Sequence, residues 1–316
     1  MQRYQAIGDL ECGAIANALA GRGLWLNLGA ATLRVRSDSA AFAAQLHTVY
    51  GHLPFVNDAD WADVHVAVRH ATGIRHWIKP QVVLHCDSQQ PFEAFPADSP
   101  LPLFEWGCNW QIAHRRNDLL LLHAGALERD GLALLLPAMP GSGKSTLTAA
   151  LSQRGWRLLS DEFGTYNPLA EVFHAMLKPI ALKNQSIEVI RAFAPDAVFG
   201  PEFPKTRKGR VAHLAATRSS VERRHETAFP GAVVLPQWQA DSATRLEPLT
   251  EQATFRSLAF NAFNYTVLGE VGFRAVVKLV RSCPAWQLVY SDLDDALRAI
   301  DDVWPSVVQR HAGMQR

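Results

Sequence analysis

Ten residues near the middle of the 316-residue chain have the types and spacing of a phosphate-binding loop, Pro137-Ala-Met-Pro-Gly-Ser-Gly-Lys-Ser-Thr146. In such a loop, backbone N–H groups and the start of a helix point at an anion, so phosphate oxygens are bound without an unpaired buried charge. The Lys144 ammonium would reach the β- and γ-phosphates of a nucleotide, and the Ser145 hydroxyl would ligate Mg²⁺. The residues predicted to contact the nucleotide are Pro140, Gly141, Ser142, Gly143, Lys144, Ser145 and Thr146.

The segments on either side fit this interpretation. The apolar run 131–136 predicts a buried strand, and the residues after Lys144 predict a helix that stops at Gly155. Ala138 replaces the first glycine of the usual pattern, which is acceptable if its φ stays negative. The alternative is a Gly-Ser-Gly linker between two elements. Strand, turn and helix with Lys-Ser in register favour the phosphate site.

A second group of residues could act on the same phosphates. A strand over 156–159 follows the predicted helix and ends at Asp161 and Glu162, which should emerge at the phosphate end of the sheet. One carboxylate there can accept a proton from an attacking hydroxyl, and another can hold Mg²⁺. The alternative is an Asp-Glu turn on the surface. Residues 118–128 predict a strand that turns at Asp130-Gly131 into the loop strand, which places His123 near the phosphates.

Together, His123-Ala, the hairpin, Gly141-Ser-Gly-Lys-Ser145 and the stretch 153–162 resemble the catalytic domain of HPr kinase/phosphorylase. The likeness covers residues 117–300 and is closer to the HPr-kinase-related kinases, a group that includes the lasso-peptide kinases. It implies an α/β fold like that of HPr kinase and PEP carboxykinase, with a P-loop core and a mixed, largely antiparallel sheet. It also allows for a homo-oligomer.

The resemblance implies roles for individual residues. Asp161 would be the base that accepts the hydroxyl proton, and Glu162 would bind metal or position Lys144. His123 would orient phosphate or Asp161. Lys183 lies on a strand similar to a lysine-bearing strand of these kinases and would neutralise the transferred phosphoryl group.

The basic loop 204–210 carries Lys205, Arg207, Lys208 and Arg210, and it matches a loop over the family's acceptor site, so Arg207 is expected at the nucleotide or substrate. The alternative for these lysines and arginines is a solvated surface. Thr146 and Glu162 depart from the residues usual in HPr kinases, and the later arginine-glycine signature is missing. These departures argue against HPr itself as the acceptor.

Composition restricts the class of protein. The chain is 48% hydrophobic and 19% charged, which favours a folded core, and its formal charge of +1 predicts neither nucleic acid nor an anionic membrane as a partner. We expect no signal peptide or membrane span, and cysteines that are reduced and mostly buried, as in a cytoplasmic protein. Histidine spacing predicts no structural zinc.

The chain before the P-loop predicts a smaller, mostly β (α+β) domain over residues 1–116. Alternating residues indicate strands near 24–28, 32–36 and 64–68, and a helix over 39–49. After the breaker cluster 96–100 comes a helix whose Trp106 and Trp110 should pack against a neighbouring element. The catalytic domain is predicted over 117–305, with a closing helix to Val303 and a disordered tail over 306–316.

These residues predict a kinase that transfers the γ-phosphoryl group of ATP, with Mg²⁺, to a hydroxyl of serine or threonine in a peptide or protein. A small-molecule hydroxyl acceptor fits the same groups. A third interpretation is a P-loop ATPase or nucleotide-binding switch, which would need a later apolar strand ending in aspartate. The strand at 231–236 lacks that aspartate.

Overall fold

The computed structural model describes residues 4–206 and 208–314. The fold is mixed α/β, and four sheets share one continuous hydrophobic core. No helix within the described ranges is long and apolar enough to cross a membrane. All four cysteines are free thiols, and three of them are buried, as the sequence predicted.

The N-terminal half is a five-stranded sheet in the order β1-β2-β3-β4-β5 with three helices. Its strands alternate buried and exposed residues because one face packs on the helices. Ser39 caps the second helix, since its Oγ accepts a hydrogen bond from the Phe42 N–H at 3.2 Å. The elements are α1 (Cys12–Ala20), β1 (Leu24–Asn27), β2 (Thr32–Ser37), α2 (Ala40–Val49), β3 (Val64–His70), β4 (Gln81–Cys86), β5 (Phe95–Pro96) and α3 (Pro100–Arg115).

A six-stranded mixed sheet carries the loop 137–146, and its strands lie in the order β16 (Arg245–Pro248), β17 (Ala285–Tyr290), β15 (Phe229–Trp238), β8 (Leu132–Pro137), β7 (Ala124–Arg129) and β9 (Arg157–Ser160). The predicted hairpin is confirmed: Arg129 pairs with Leu132, and Asp130 and Gly131 make the turn with φ of 55° and 76°. The preceding strand is split, however, because the chain leaves this sheet at His123. The elements up to the carboxylates are β6 (Leu120–Leu122), β7 (Ala124–Arg129), β8 (Leu132–Pro137), α4 (Lys144–Gln153) and β9 (Arg157–Ser160).

The fold also contains two three-stranded sheets, with the strand orders β11-β10-β6 and β12-β14-β13. The part of the split strand before His123 is β6, which pairs with β10 in the first of these sheets. His123 therefore lies at the junction of two sheets. Their elements, with the helices between them, are β10 (Gly164–Asn167), β11 (Val172–His174), β12 (Ile180–Lys183), α5 (Gln185–Phe193), β13 (Phe203–Thr206), β14 (Gly209–Leu214) and α6 (Arg218–Glu222).

The C-terminal part completes the large sheet and covers it with helices. Its elements are β15 (Phe229–Trp238), β16 (Arg245–Pro248), α7 (Glu251–Phe260), α8 (Tyr265–Leu268), α9 (Glu270–Ser282), β17 (Ala285–Tyr290) and α10 (Leu293–Met314). The prediction of a disordered tail is wrong for residues 306–314, because α10 continues through Pro305 to Met314. Trp304 and Val307 are buried on both sides of the proline, and this packing offsets the lost backbone hydrogen bond.

Backbone hydrogen bonds join the two halves directly. The Ala30 N–H donates to the Ala175 carbonyl at 2.7 Å, and the Leu177 N–H donates to the Leu28 carbonyl at 2.8 Å. The turn between β1 and β2 therefore pairs with the segment leading into β12. The domain boundary at residue 116 remains a prediction, since one core runs through both halves.

Candidate functional site

The turn after β8 has the geometry of an anion-binding loop. Gly141 and Gly143 adopt φ of 89° and 88°, which glycine reaches without steric cost. The Leu147 N–H donates to the Gly143 carbonyl at 2.9 Å, so the N–H groups of residues 144–146 precede the first intrahelical bond of α4. The positive end of α4 and these donors face the loop. Ala138 is not among the described residues with positive φ, as its place in the loop requires.

Residues from the distant end of the chain hold this loop. The Tyr290 hydroxyl, at the end of β17, donates to the Gly143 carbonyl at 3.3 Å. The Trp238 N–H, at the end of β15, donates to the Ser142 carbonyl at 2.9 Å. A Cβ added at Gly143 would lie 2.5 Å from the Tyr290 oxygen. Sequence reasoning missed Tyr290 and Trp238, because no local pattern links them to a loop about 100 to 150 residues away.

Asp161 contacts the two side chains at the start of α4. The Ser145 hydroxyl donates to Asp161 Oδ2 at 2.8 Å, and Lys144 Nζ lies 3.2 Å from Oδ1 and also donates to the Asp161 carbonyl. Lys144 and Asp161 are both buried. The strand order explains the contact: β9 and β8 both pair antiparallel with β7, so they run in the same direction and end at the same edge.

Glu162 faces His123 instead of the P-loop. Its Oε2 lies 3.6 Å from His123 Nε2. Burial raises the pKa of the Glu162 carboxyl, but the contact with His123 and the charges of Lys144 and Lys178 outweigh burial and hold that pKa well below its usual range. Glu162 is therefore an anion at neutral pH.

His123 is held in place by the segment after α7. Its N–H donates to the Asn261 carbonyl at 2.6 Å, and its ring lies 5.4 Å from that of Phe263. The structure thus brings His123 to Glu162, whereas the resemblance implied a contact with phosphate or Asp161.

A cleft beside Glu162 is lined by both halves of the chain. Helix α3 contributes Trp106 and Asn109, and the β12–β14 sheet contributes Lys183 and His213. Lys178 is buried in its wall, where Nζ lies 3.0 Å from Glu105 Oε2 and donates to the Asn109 side chain. Helix α3 therefore supplies part of the site, which sequence reasoning did not predict.

The basic loop divides into residues with different positions. Arg207 lies outside the described residues. Lys208 lines the cleft, with Nζ 5.2 Å from the centre of the Trp106 ring. Arg210 points elsewhere, because its guanidinium lies 2.5 Å from Glu188 and 3.5 Å from Glu202. Of these three residues, Lys208 alone is placed by the structure in the cleft.

The groups at the start of α4 fit a nucleotide-bound Mg²⁺. Ser145 Oγ and Asp161 Oδ2 are adjacent oxygen ligands, and Mg²⁺ bound with nucleotide commonly takes one or two protein oxygens together with phosphate oxygens and water. Within residues 4–206 and 208–314, no group of three or more His, Cys, Asp or Glu side chains could hold a metal by itself. A metal here would therefore depend on the phosphates.

Comparison with known proteins adds no further assignment. The chain matches no protein-family model, and no curated protein matches it significantly. The site must therefore be interpreted from its own residues.

Proposed function

We propose that the chain is an ATP-dependent kinase that transfers the γ-phosphoryl group to a hydroxyl of serine or threonine in a peptide or protein. One observation carries the proposal: the Asp161 carboxylate bonds both Lys144 and Ser145 at the start of α4. A carboxylate at this position adjoins the phosphates and can reach a hydroxyl that attacks them. We also propose that the fold is like the P-loop fold of HPr kinase, which the mixed sheet supports.

The transfer step balances with the groups in the site. The acceptor oxygen bonds to the γ-phosphorus, the bond between that phosphorus and the β–γ bridging oxygen breaks, and ADP leaves. The acceptor proton passes to an Asp161 carboxylate oxygen. Lys144 stabilises the negative charge on the phosphoryl oxygens, and the loop N–H groups hold the β-phosphate.

Mg²⁺ would neutralise phosphate charge when it is bound, held by Ser145 with Asp161, whereas Glu162 faces His123. The other contribution of the chain is to position the reacting groups. Its buried residues exclude water from the Lys144–Asp161 pair, and the hydrogen bonds from Tyr290 and Trp238 keep the loop in its binding conformation.

The decisive experiment follows label from γ-labelled ATP with Mg²⁺ into host lysate fractions, with Lys144→Ala as the control. Label in a peptide or protein that requires the intact lysine supports the proposal, and label in a metabolite identifies a small-molecule acceptor. Release of free phosphate alone, unchanged by any fraction, favours an ATPase. Nucleotide binding without turnover contradicts catalysis.

A further inference from the structure

The cleft between α3 and the β12–β14 sheet has its own set of polar groups. Among the described residues, the lining of the cleft includes Glu162, which directly follows Asp161 in the sequence. It does not include Lys144, Ser145 or Asp161. The cleft therefore begins beside the phosphate site and extends away from it. In this position a bound molecule would present atoms to Asp161 without occupying the nucleotide loop.

Two lysines of the cleft lack a matching carboxylate. Lys144 is paired with Asp161 and Lys178 with Glu105. Over the described ranges, neither Lys183 nor Lys208 has an ion-pair partner. Among the lining residues that the structure describes, Glu162 is the one remaining carboxylate, so the two free ammonium groups leave one positive charge in excess there.

Repulsion among these cations also affects the pKa of Lys208. Partial desolvation of the ammonium, followed by the charges of Lys183 and Lys144, lowers the pKa of Lys208, although Glu162 opposes this effect. An anion placed between Lys183 and Lys208 would relieve the repulsion.

A buried imidazole in the cleft wall is unsatisfied. His213 is 1% exposed, and its Nδ1 has no hydrogen-bond partner in the described structure. Buried polar atoms are nearly always paired, so this unpaired nitrogen is unusual. Trp106, half-buried beside Lys208, offers an aromatic surface for a carbon skeleton.

We propose that this cleft binds the phosphoryl acceptor through a carboxylate that the acceptor carries near its reactive hydroxyl. The inference rests on the proposed kinase function. Lys183 and Lys208 bind the carboxylate, Trp106 packs against the carbon skeleton, and the hydroxyl lies towards Glu162 and Asp161. A carboxylate matches the single excess positive charge, whereas a phosphate dianion would exceed it. A small hydroxy acid and an acidic polypeptide segment share this chemistry.

The test measures binding to the full chain loaded with Mg²⁺ and ADP, by calorimetry at constant ionic strength. D-glycerate is compared with glycerol, and the capped dipeptide Ser-Asp with Ser-Asn, since each pair differs in one carboxylate. We expect the carboxylate member of at least one pair to bind about tenfold more tightly or better, as for a charge-assisted hydrogen bond. Preference in the first pair alone identifies a small acceptor, and preference in the second alone identifies a polypeptide.

Variants of the cleft test whether Lys183 and Lys208 cause the preference for the carboxylate. Lys183→Gln with Lys208→Gln should abolish the preference for the carboxylate member, and Arg210→Gln, whose guanidinium is occupied by Glu188 and Glu202, should retain it. Equal binding within both pairs, or a preference that survives the double substitution, overturns the inference. If the chain still binds Mg²⁺–ADP and transfers phosphoryl groups in that case, the kinase function stands. Failure to bind Mg²⁺–ADP overturns both proposals.

Discussion

Lys178 and Glu105 form a buried ion pair that joins the two halves of the chain, with 3.0 Å between Nζ and Oε2. The side chains are 5% and 9% exposed. Tyr50 donates to the other Glu105 oxygen at 2.5 Å, so the carboxylate is bonded on both sides. Burial lowers the pKa of Lys178, but the negative charge of Glu105, with smaller effects of Cys108 and Glu162, outweighs burial and raises it. Lys178 is therefore charged at neutral pH.

Replacing one partner of this pair should be costly. Glu105→Gln keeps the shape of the side chain but leaves a buried ammonium without its counter-charge, so we expect a loss of about 3–5 kcal/mol in the free energy of unfolding. Urea unfolding followed by circular dichroism measures it. The exposed pair of Glu270 and Arg274 provides the control, where Glu270→Gln should cost less than about 1 kcal/mol.

Removing both charges together should restore stability. Glu105→Gln with Lys178→Met removes both buried charges of this pair, so the double variant should be more stable than the Glu105→Gln variant. If the two variants unfold at the same urea concentration, the pair is not the source of the loss.

Asp161→Asn separates binding from catalysis under the proposed function. The amide keeps an oxygen for Lys144 but cannot accept the hydroxyl proton, so phosphoryl transfer should fall by about 10²–10⁴-fold while nucleotide binding persists. Fluorescent-ADP titration and label transfer from ATP measure the two quantities. Transfer at the wild-type rate would show that Asp161 is not the base.

Gly143→Ala should damage the loop for two physical reasons. The residue has a φ of 88°, and its new Cβ would lie 2.5 Å from the Tyr290 oxygen. Gly131→Ala is the matched control, because its φ of 76° is also positive but no atom lies within 4 Å of its added Cβ. We expect a loss of about 1–3 kcal/mol from backbone strain in both variants, and a further loss with weakened nucleotide binding in Gly143→Ala alone.

A second substitution tests the steric part. Tyr290→Phe in the Gly143→Ala background removes the clashing oxygen and should recover some of the stability. No recovery would assign the whole effect to the backbone conformation.

His213 should make stability depend on pH. Burial lowers the pKa of His213 from 6.5 to about 4. The negative charge of Glu105 opposes this decrease, and the positive charge of Lys178 adds to it. The unfolded chain binds this proton more tightly, so stability is complete above pH 6.5 and is lost as pH falls towards 4, by a total on the order of 3 kcal/mol. Unfolding free energies at about pH 7 and about pH 5 should differ less in His213→Leu than in wild type.

Other histidines with lowered pKa values do not affect the comparison between wild type and His213→Leu. His52, His174 and His225 also have lowered pKa values, but they remain in both proteins, so the difference between the two pH dependences reports on His213. An identical pH dependence in the variant would contradict a neutral, buried imidazole.

Local patterns predicted the centre of the fold well. The apolar run before the loop, the glycines within it and the Asp130-Gly131 turn act over a few residues, so their geometry could be inferred from sequence. The position of Asp161 beside the loop also followed, because a strand directly after the helix ends at the same edge of the sheet as the loop.

Long-range relationships could not be predicted in this way. Glu105 and Lys178 are 73 residues apart, and neither position carries a signal that identifies the other. The same holds for Tyr290, which reaches Gly143 only because β15 lies between β8 and β17 in the sheet. The end of α10 was misjudged because tertiary packing, and not local preference, carries the helix past Pro305.

The closed pair of Lys144 and Asp161 sets an order of events for the proposed reaction. The lysine that would bind phosphate is bonded to the residue that would act as the base. An acceptor that arrived first would meet a carboxylate already engaged by this cation. Arrival of the nucleotide would draw Lys144 towards its phosphates and release Asp161, so the base would become available only when a phosphoryl donor is present.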